Sequence, residues 1–442
     1  MINSSNDLFA KFDISFFSKK YLDKDIIQQF YINDLKTKNN RTRSDSIIGC
    51  HHMIIFICLW VLNPDEGCFS VLNKAKFFLL KTSKNVWHIV KAISDSGLCK
   101  ARKRFSSDIL KRVWQNQIIP VFYKEKGKKL WKGFTVCAVD GTSLTLNISK
   151  DILKVFPIIT KSLKPKMLMS VLYDVYSKIP LDVICSNFPG NERELLINMV
   201  RKINHNNVLL LLDRGYPSFV LFFLLSKKSI QSVIRIPSYF KYKIIKKNGT
   251  NDFIVKIYLN KDKKNLAKKY LTTDECDCLP DYITLRLVKT HLKGFKPRFI
   301  LTSLLDNSVY FYQDICKLYC DRWIIENYYR DLKHILKIEK FHAEYVDGIY
   351  QEIYASLILT IILQQHIAKA HVAFNIAYEE ISFKKTFNII SQFIFLFDFF
   401  PDSAKIENLL LLLIAQSSQK KRPNRSFKRI FYRKIKSKTK SK

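Results

Sequence analysis

The sequence lacks the long apolar run that a membrane-spanning helix requires. Such a helix needs about 20 consecutive apolar residues, whereas the most apolar stretches, at 53–62, 355–363 and 409–415, are far shorter. The N-terminus also lacks a signal peptide, because Asp7 and Lys11 interrupt any apolar core. These absences argue against a membrane protein, and they predict buried helices and a cytoplasmic location.

The ten cysteines lack the spacing of a zinc site. No CxxC pair is matched by a second CxxC or by a pair of histidines at ligand spacing. Free buried thiols in a reducing compartment are therefore expected. No internal repeat is present either.

Acidic residues are scarce, with 38 Asp and Glu against 74 Lys and Arg and a net charge of +36. A fold does not need that excess, since it adds self-repulsion, so its natural use is attraction to nucleic acid or to an anionic membrane surface. A membrane surface is the weaker alternative, because no Lys-rich amphipathic helix stands out. With 442 residues, 48% of them hydrophobic, the chain is long enough for two or three folded domains.

The first 125 residues are predicted to be helical, because apolar residues recur at helical spacing in 26–31, 47–62 and 109–119. A basic segment precedes the last of these helices and consists of Lys100, Arg102, Lys103 and Arg104. Four bases in five residues suggest contact with DNA phosphates. An ordinary solvated basic face is an equally good interpretation.

Beyond Gly133 the pattern changes to strands flanked by helices, which predicts an α/β layer with a buried sheet. Strands are expected at 134–139 and 208–212, a hairpin at 167–185, and helices at 192–203 and 218–226. The region 232–306 is β-rich and is interpreted as an insertion, with a hairpin turn at 246–249. From 309 the chain is helical again, and it ends in a basic tail at 420–442 with twelve bases and no acid.

Two aspartates have the same local setting. Asp140 and Asp213 each end a short apolar run and are followed by glycine within two positions. Groups that do chemistry in an open α/β sheet sit at strand ends, and glycine there allows a substrate to approach closely. Aspartate and glycine are also ordinary turn residues, so either aspartate alone is weak support for a site.

A third acid lies within a cationic stripe. At about 100° per residue on a helix, one arc of roughly 80° contains Tyr319, Arg322, Glu326, Arg330 and Lys333. Apolar residues occupy the opposite side. A structural salt bridge at spacing four is one explanation of this stripe. The other is a site where metal and phosphate meet, with the carboxylate facing the metal and the cations holding flanking phosphates.

The spacing of Tyr319, Arg322, Glu326 and Lys333 resembles the Tyr-x₂-Arg-x₃-Glu-x₆-Lys signature of a bacterial insertion-sequence DDE transposase family. Segments 140–142 and 213–216 resemble those that carry the family's two aspartates, and 98–104 resembles its basic segment. The resemblance implies an α/β ribonuclease-H-like catalytic core with a β-rich insertion, an all-α N-terminal domain and a helical C-terminal region. The expected divisions are 1–125, 126–345, 346–419 and the tail 420–442.

The resemblance also implies the chemistry. Asp140, Asp213 and Glu326 are expected to be the catalytic metal ligands for two Mg²⁺ ions, with Mn²⁺ as a substitute. The protein would cleave the inverted-repeat ends of a mobile element and join the 3′-hydroxyl ends to target DNA, acting as a homodimer on double-stranded DNA in the bacterial nucleoid. Phe295 and Phe299 are candidates for holding a flipped base.

Two alternatives stay open. One is a metal-dependent nuclease of the same fold without strand transfer, which would keep the same acids. The other is an inactive DNA-binding derivative, which would be expected to have lost an acid.

Overall fold

An eight-stranded mixed sheet runs through the protein, in the order β3-β2-β1-β4-β5-β8-β7-β6. The computed structural model describes residue 29 and residues 50–73, 94–159, 162–203, 207–237, 251–290, 298–393 and 403–419. The strands are β1 Thr135–Thr145, β2 Lys166–Asp174, β3 Ile179–Asn187, β4 Val208–Leu212, β5 Gln231–Arg235, β6 Asp252–Tyr258, β7 Tyr282–Thr290 and β8 Arg298–Thr302. Strands β1, β4 and β5 are parallel to one another, and the remaining neighbours pair antiparallel.

Helices cover both faces of this sheet. They are α1 Cys50–Leu62, α2 Asp95–Arg104, α3 Ser107–Val113, α4 Ile119–Lys126, α5 Lys150–Val155, α6 Glu192–Lys202, α7 Phe219–Lys227, α8 Lys261–Tyr270, α9 Thr273–Asp277, α10 Tyr312–Cys320, α11 Ile324–His334, α12 Val346–Phe374, α13 Phe383–Phe393 and α14 Ser403–Gln416. A π-helical turn, Trp114–Ile118, joins α3 to α4.

The alternation of side chains along β1 separates two hydrophobic cores. Val136 and Ala138 point into the core shared with α1, α3, α11 and α12. Cys137 and Val139 point into the opposite core, which α6 and α7 cover. Strand β4 is apolar at all five positions because both of its faces are buried.

The hairpin predicted at 167–185 is confirmed as β2 and β3, and the helices predicted at 192–203 and 218–226 as α6 and α7. The strand predicted at 134–139 extends further than expected. Strand β1 continues through Asp140 to Thr145, because its second half pairs with β2 residue by residue. Asp140 therefore lies within a strand.

The β-rich region at 232–306 extends the main sheet. Strand β8 pairs with β5, and β7 and β6 follow outward. The region also contains α8 and α9, which the sequence analysis did not predict. The predicted helix at 26–31, the turn at 246–249, Phe295 and the tail 420–442 lie outside the described residues, apart from residue 29, which is helical.

Helix α12 is the one element, among the described ranges, that is long and apolar enough to cross a membrane. The sequence analysis saw only its apolar part at 355–363 and underestimated its length of 29 residues. Within its most apolar window, 83% of the residues are buried inside the protein. The expected buried helix is therefore confirmed, and it packs against α1, α3, α14 and β3.

Candidate active site

The two predicted aspartates lie at the same level of two neighbouring parallel strands, Asp140 within β1 and Asp213 directly after the end of β4. The register pairs Ala138 of β1 with Leu211 of β4, so two residues further on Asp140 lies opposite Asp213. Adjacent strands are about 4.8 Å apart. Both aspartates continue the side-chain alternation of Ala138 and Leu211, and they therefore face the side of the sheet that α11 covers.

The helix carrying the third acid is interrupted. The stripe was predicted on one continuous helix, but α10 ends at Cys320 and a 3₁₀ turn, Asp321–Trp323, leads into α11. Glu326 lies in the first turn of α11. The tighter 3₁₀ turn changes the angular positions, so Tyr319 and Arg322 turn inward and are buried while Glu326 stays partly exposed.

Arg322 connects two of the acids. Its Nη2 donates to Glu326 Oε1 at 2.6 Å, and its Nη1 lies 3.9 Å from Asp140 Oδ2. The guanidinium is 4% exposed, and its Nε finds no acceptor among the described residues. A positive charge thus lies between Asp140 and Glu326.

Asp213 has its own partners. The hydroxyl of Tyr319 donates to Asp213 Oδ1 at 3.3 Å, and Arg235 Nη1 lies 3.9 Å from the same oxygen. Arg235 ends β5, the next parallel strand. Sequence reasoning missed this arginine, because only the order of the strands brings it beside Asp213.

Two hydrogen bonds fix α11 against β1. The hydroxyl of Tyr329 donates to the carbonyl oxygen of Asp140 at 2.6 Å, and Lys333 Nζ donates to the carbonyl of Ser143 at 2.6 Å. Tyr328 and Leu332 are buried on the same helix. The position of Glu326 over the sheet follows from this attachment.

Burial raises the pKa of Asp140 to about 6. The Gly141 N–H, which donates to Asp140 Oδ1 at 3.0 Å, and the charge of Arg322 oppose this shift, whereas the nearby carboxylates Glu192 and Glu326 add to it. The aspartate is thus held in an environment that disfavours its charged form.

Glu192 is a fourth acid that the sequence analysis missed. A Cβ on Gly141 would lie 2.8 Å from Glu192 Oε1, so this carboxyl group packs against the backbone next to Asp140. The hydroxyl of Tyr216, in the turn after Asp213, donates to Glu192 Oε2 at 3.4 Å. An acid in the first turn of a helix is ordinary, so nothing in the sequence distinguished it.

The basic segment divides into two kinds of residue. Lys100, Lys103 and Arg104 are exposed on α2, as a DNA contact requires. Arg102 is buried and forms an ion pair with Glu352 of α12 at 2.6 Å. The prediction that Arg102 contacts DNA is therefore wrong, because its side chain is buried and its charge is paired with Glu352.

The remaining predicted contacts also differ. Arg330 is exposed and lies 3.7 Å from Asp331, whereas Lys333 is half-buried. Phe299 is buried in β8 and packs in the core beneath α7, so it is not available to hold a flipped base.

The carboxylates are the hard oxygen donors that Mg²⁺ prefers, but their arrangement does not fit the ion. Within the described ranges, no three His, Cys, Asp or Glu side chains are grouped as a metal site requires. The guanidinium of Arg322 takes up the space between Asp140 and Glu326. The side chains as they stand form an acid site whose charge is partly balanced by two of the protein's own arginines.

Comparison with known proteins identifies the family of the chain. Residues 131–362, more than half of the chain, match the family described as the transposase DDE domain. The chain belongs to this family, and the resemblance to DDE transposases is confirmed. The mixed sheet with helices on both faces fits the ribonuclease-H-like fold that was expected.

Two individual proteins are similar to it. A curated relative, the transposase InsG for insertion sequence element IS4 of Escherichia coli (strain K12), is 25% identical over 251 residues. The match spans 55% of this chain and about half, 54%, of that relative. Among solved structures, a piggyBac transposase synaptic complex with hairpin DNA has a TM-score of 0.41 at 10% identity, covering 96% of this chain and 88% of that one.

Proposed function

We propose that the protein is a DNA transposase that binds the inverted-repeat ends of a mobile element, cleaves them and joins the 3′-hydroxyl ends to target DNA. Asp140, Asp213 and Glu326 are its catalytic residues. The observation that carries the proposal is that Asp140 on β1 and Asp213, directly after β4, lie at the same level of neighbouring parallel strands, with Glu326 linked to Asp140 through Arg322. Membership of the transposase DDE-domain family supplies the reaction class.

The proposed substrate is double-stranded DNA, which the net charge of +36 favours. The relative from Escherichia coli is named as a transposase of an insertion sequence, which supports a mobile element as the source of the DNA. The proposed phosphate contacts are Tyr319, Arg322, Arg330, Lys333, Lys100, Lys103 and Arg104. A homodimer on DNA remains part of the proposal.

Two Mg²⁺ ions, or Mn²⁺ in their place, also remain part of it. The donor chemistry of the three acids supports them. The side-chain arrangement requires Arg322 to leave before an ion can bind between Asp140 and Glu326.

The test uses a plasmid that carries the coding region together with its native flanking DNA. Purified protein with Mg²⁺ is expected to cut at the element boundaries and to join the released 3′ ends to a second plasmid. Asp140→Asn, Asp213→Asn and Glu326→Gln should each lower the yield of both products by on the order of a thousandfold or more. Each variant retains the size of the side chain and removes only its charge.

Glu194→Gln is the matched control, since Glu194 is an exposed acid in the first turn of α6. Its activity should equal that of the wild type. Cleavage without joining would identify a nuclease, and DNA binding without cleavage an inactive derivative. Full activity in any of the three acid variants would remove that residue from the site.

A further inference from the structure

Each of the three acids lies beside an arginine of the protein itself. Arg322 serves Asp140 and Glu326, and Arg235 lies beside Asp213. Carboxylates gathered at one site repel one another, so a cation is needed among them. In this structure the cation nearest to Asp140 and Glu326 is the guanidinium of Arg322.

The side chain of Arg322 is buried, but its hydrogen-bond donors are not all paired. The side chain is buried, yet its Nε has no acceptor among the described residues, and its contact with Asp140 is long at 3.9 Å. The side chain of Glu326, in contrast, is 36% exposed. The pair can therefore open toward solvent without leaving a carboxylate fully buried.

We infer that Arg322 is an internal counter-ion that competes with the divalent metal for Asp140 and Glu326, and that it leaves the acids when a DNA phosphate accepts its guanidinium. This inference rests on the proposed function. It is drawn from the place of Arg322 between two acids whose arrangement does not otherwise fit a metal.

Competition of this kind couples the two ligands. A guanidinium pairs as well with a phosphate as with a carboxylate, in both cases through two N–H donors. If DNA removes Arg322 from the acids, DNA must raise the affinity for metal, and the metal must raise the affinity for DNA by the same factor. The protein would thus assemble its metal site only on a DNA end, which protects other DNA from cleavage.

The experiment measures Mn²⁺ binding by the full-length protein without DNA, by titration calorimetry and by the electron paramagnetic resonance signal of free Mn²⁺. Arg322→Gln is expected to bind Mn²⁺ about tenfold more tightly than the wild type, because the cation that competes for Asp140 and Glu326 has been removed. Arg322→Lys, which retains a cation but cannot reach both acids through two nitrogens, should gain less. Adding Asp140→Asn to Arg322→Gln should abolish the gain.

Arg330→Gln is the matched control, because it removes the same charge from an exposed position on α11, the helix that follows the turn carrying Arg322. Its Mn²⁺ affinity should equal that of the wild type. In a second arm, a duplex with the native flanking end should raise the Mn²⁺ affinity of the wild type and leave that of Arg322→Gln nearly unchanged.

Equal or weaker Mn²⁺ binding by Arg322→Gln would overturn the inference, as would an equal gain in Arg330→Gln. If that result came with normal cleavage and joining by the wild type, only the counter-ion role would fall. If Arg322→Gln gained Mn²⁺ affinity but the wild type neither cut nor joined DNA, the competition would hold and the proposed function would fall.

Discussion

Two buried arginines, each paired with a glutamate, differ in a way that separates structure from function. Arg102 contacts Glu352 and Arg322 contacts Glu326, both at 2.6 Å. In the first pair both side chains are about 5% exposed, whereas in the second the glutamate is 36% exposed. The Arg102–Glu352 pair is therefore closed to solvent, and the Arg322–Glu326 pair is open to it.

The closed pair is held by further contacts on both of its members. Arg102 Nε donates to Gln351 at 2.9 Å, and the guanidinium stacks over Trp60. Burial alone would raise the pKa of Glu352, but hydrogen bonding from His342 and the charge of Arg102 hold it below its ordinary value. This pair fastens the N-terminal helices to α12. A buried ion pair that is shielded from solvent on both sides has a structural role, whereas one whose carboxylate reaches solvent can exchange partners.

The largest expected effect comes from breaking both pairs in the same way. Arg102→Gln should lower the free energy of unfolding by about 3–5 kcal/mol, because it leaves Glu352 charged and buried. Arg322→Gln should lower it by only about 1 kcal/mol, since Glu326 can be hydrated. Urea unfolding of both variants at pH 7.5 measures the difference. Losses of equal size would contradict the distinction between a closed and an open pair.

The sequence predicted much of this site because its signals are local. The apolar runs before Asp140 and Asp213 and the spacing of Glu326 with its cations are visible in the chain itself. The pairing of β1 with β4 is not visible, because strand order depends on long-range packing. The inward turn of Arg322 was missed because the 3₁₀ turn at 321–323 has no sequence signal.

Arg102 shows the opposite limit. Four bases within five residues look alike in sequence, and only the position of α12 beneath the helix decides that one of them is buried. Its glutamate partner lies 250 residues away along the chain. Charge patterns therefore predicted that this segment is basic, but they did not predict which member is structural.

An intermediate effect is expected at Asp140, whose pKa of about 6 lies above its ordinary 3.8. As the pH rises from about 4 to 6 the unfolded state loses this proton first, so the folded state loses stability in that window and does not regain it at higher pH. Asp140→Asn removes this penalty and should stabilise the protein by about 2 kcal/mol at pH 7.5 in EDTA. Such a gain would show that the charged carboxylate of Asp140 lowers the stability of the folded protein.

The measurement is urea unfolding with EDTA at pH 7.5 and pH 5. The gain from Asp140→Asn should shrink at pH 5, where the wild-type carboxyl is largely protonated in the folded state. Glu194→Gln serves as the control, with no change at either pH. A gain that is the same at both pH values would show that burial of the charge is not its cause.

The smallest effect on stability is expected at Arg330, which completes the scale of arginines from closed to fully open. Its side chain is 63% exposed and its partner Asp331 is the adjacent residue, so Arg330→Gln should change the free energy of unfolding by less than about 0.5 kcal/mol.

The proposed role of Arg330 is a DNA phosphate contact. Loss of one such contact should lower the slope of log affinity against log salt concentration by about 0.9. Binding curves on the native flanking end between 50 and 200 mM salt test this, with Lys317→Gln, at an exposed position of α10 outside the predicted stripe, as the comparison. An unchanged slope together with unchanged stability would mean that Arg330 does not contact the DNA. The phosphate contacts would then be assigned to the arginines beside the acids, Arg322 and Arg235.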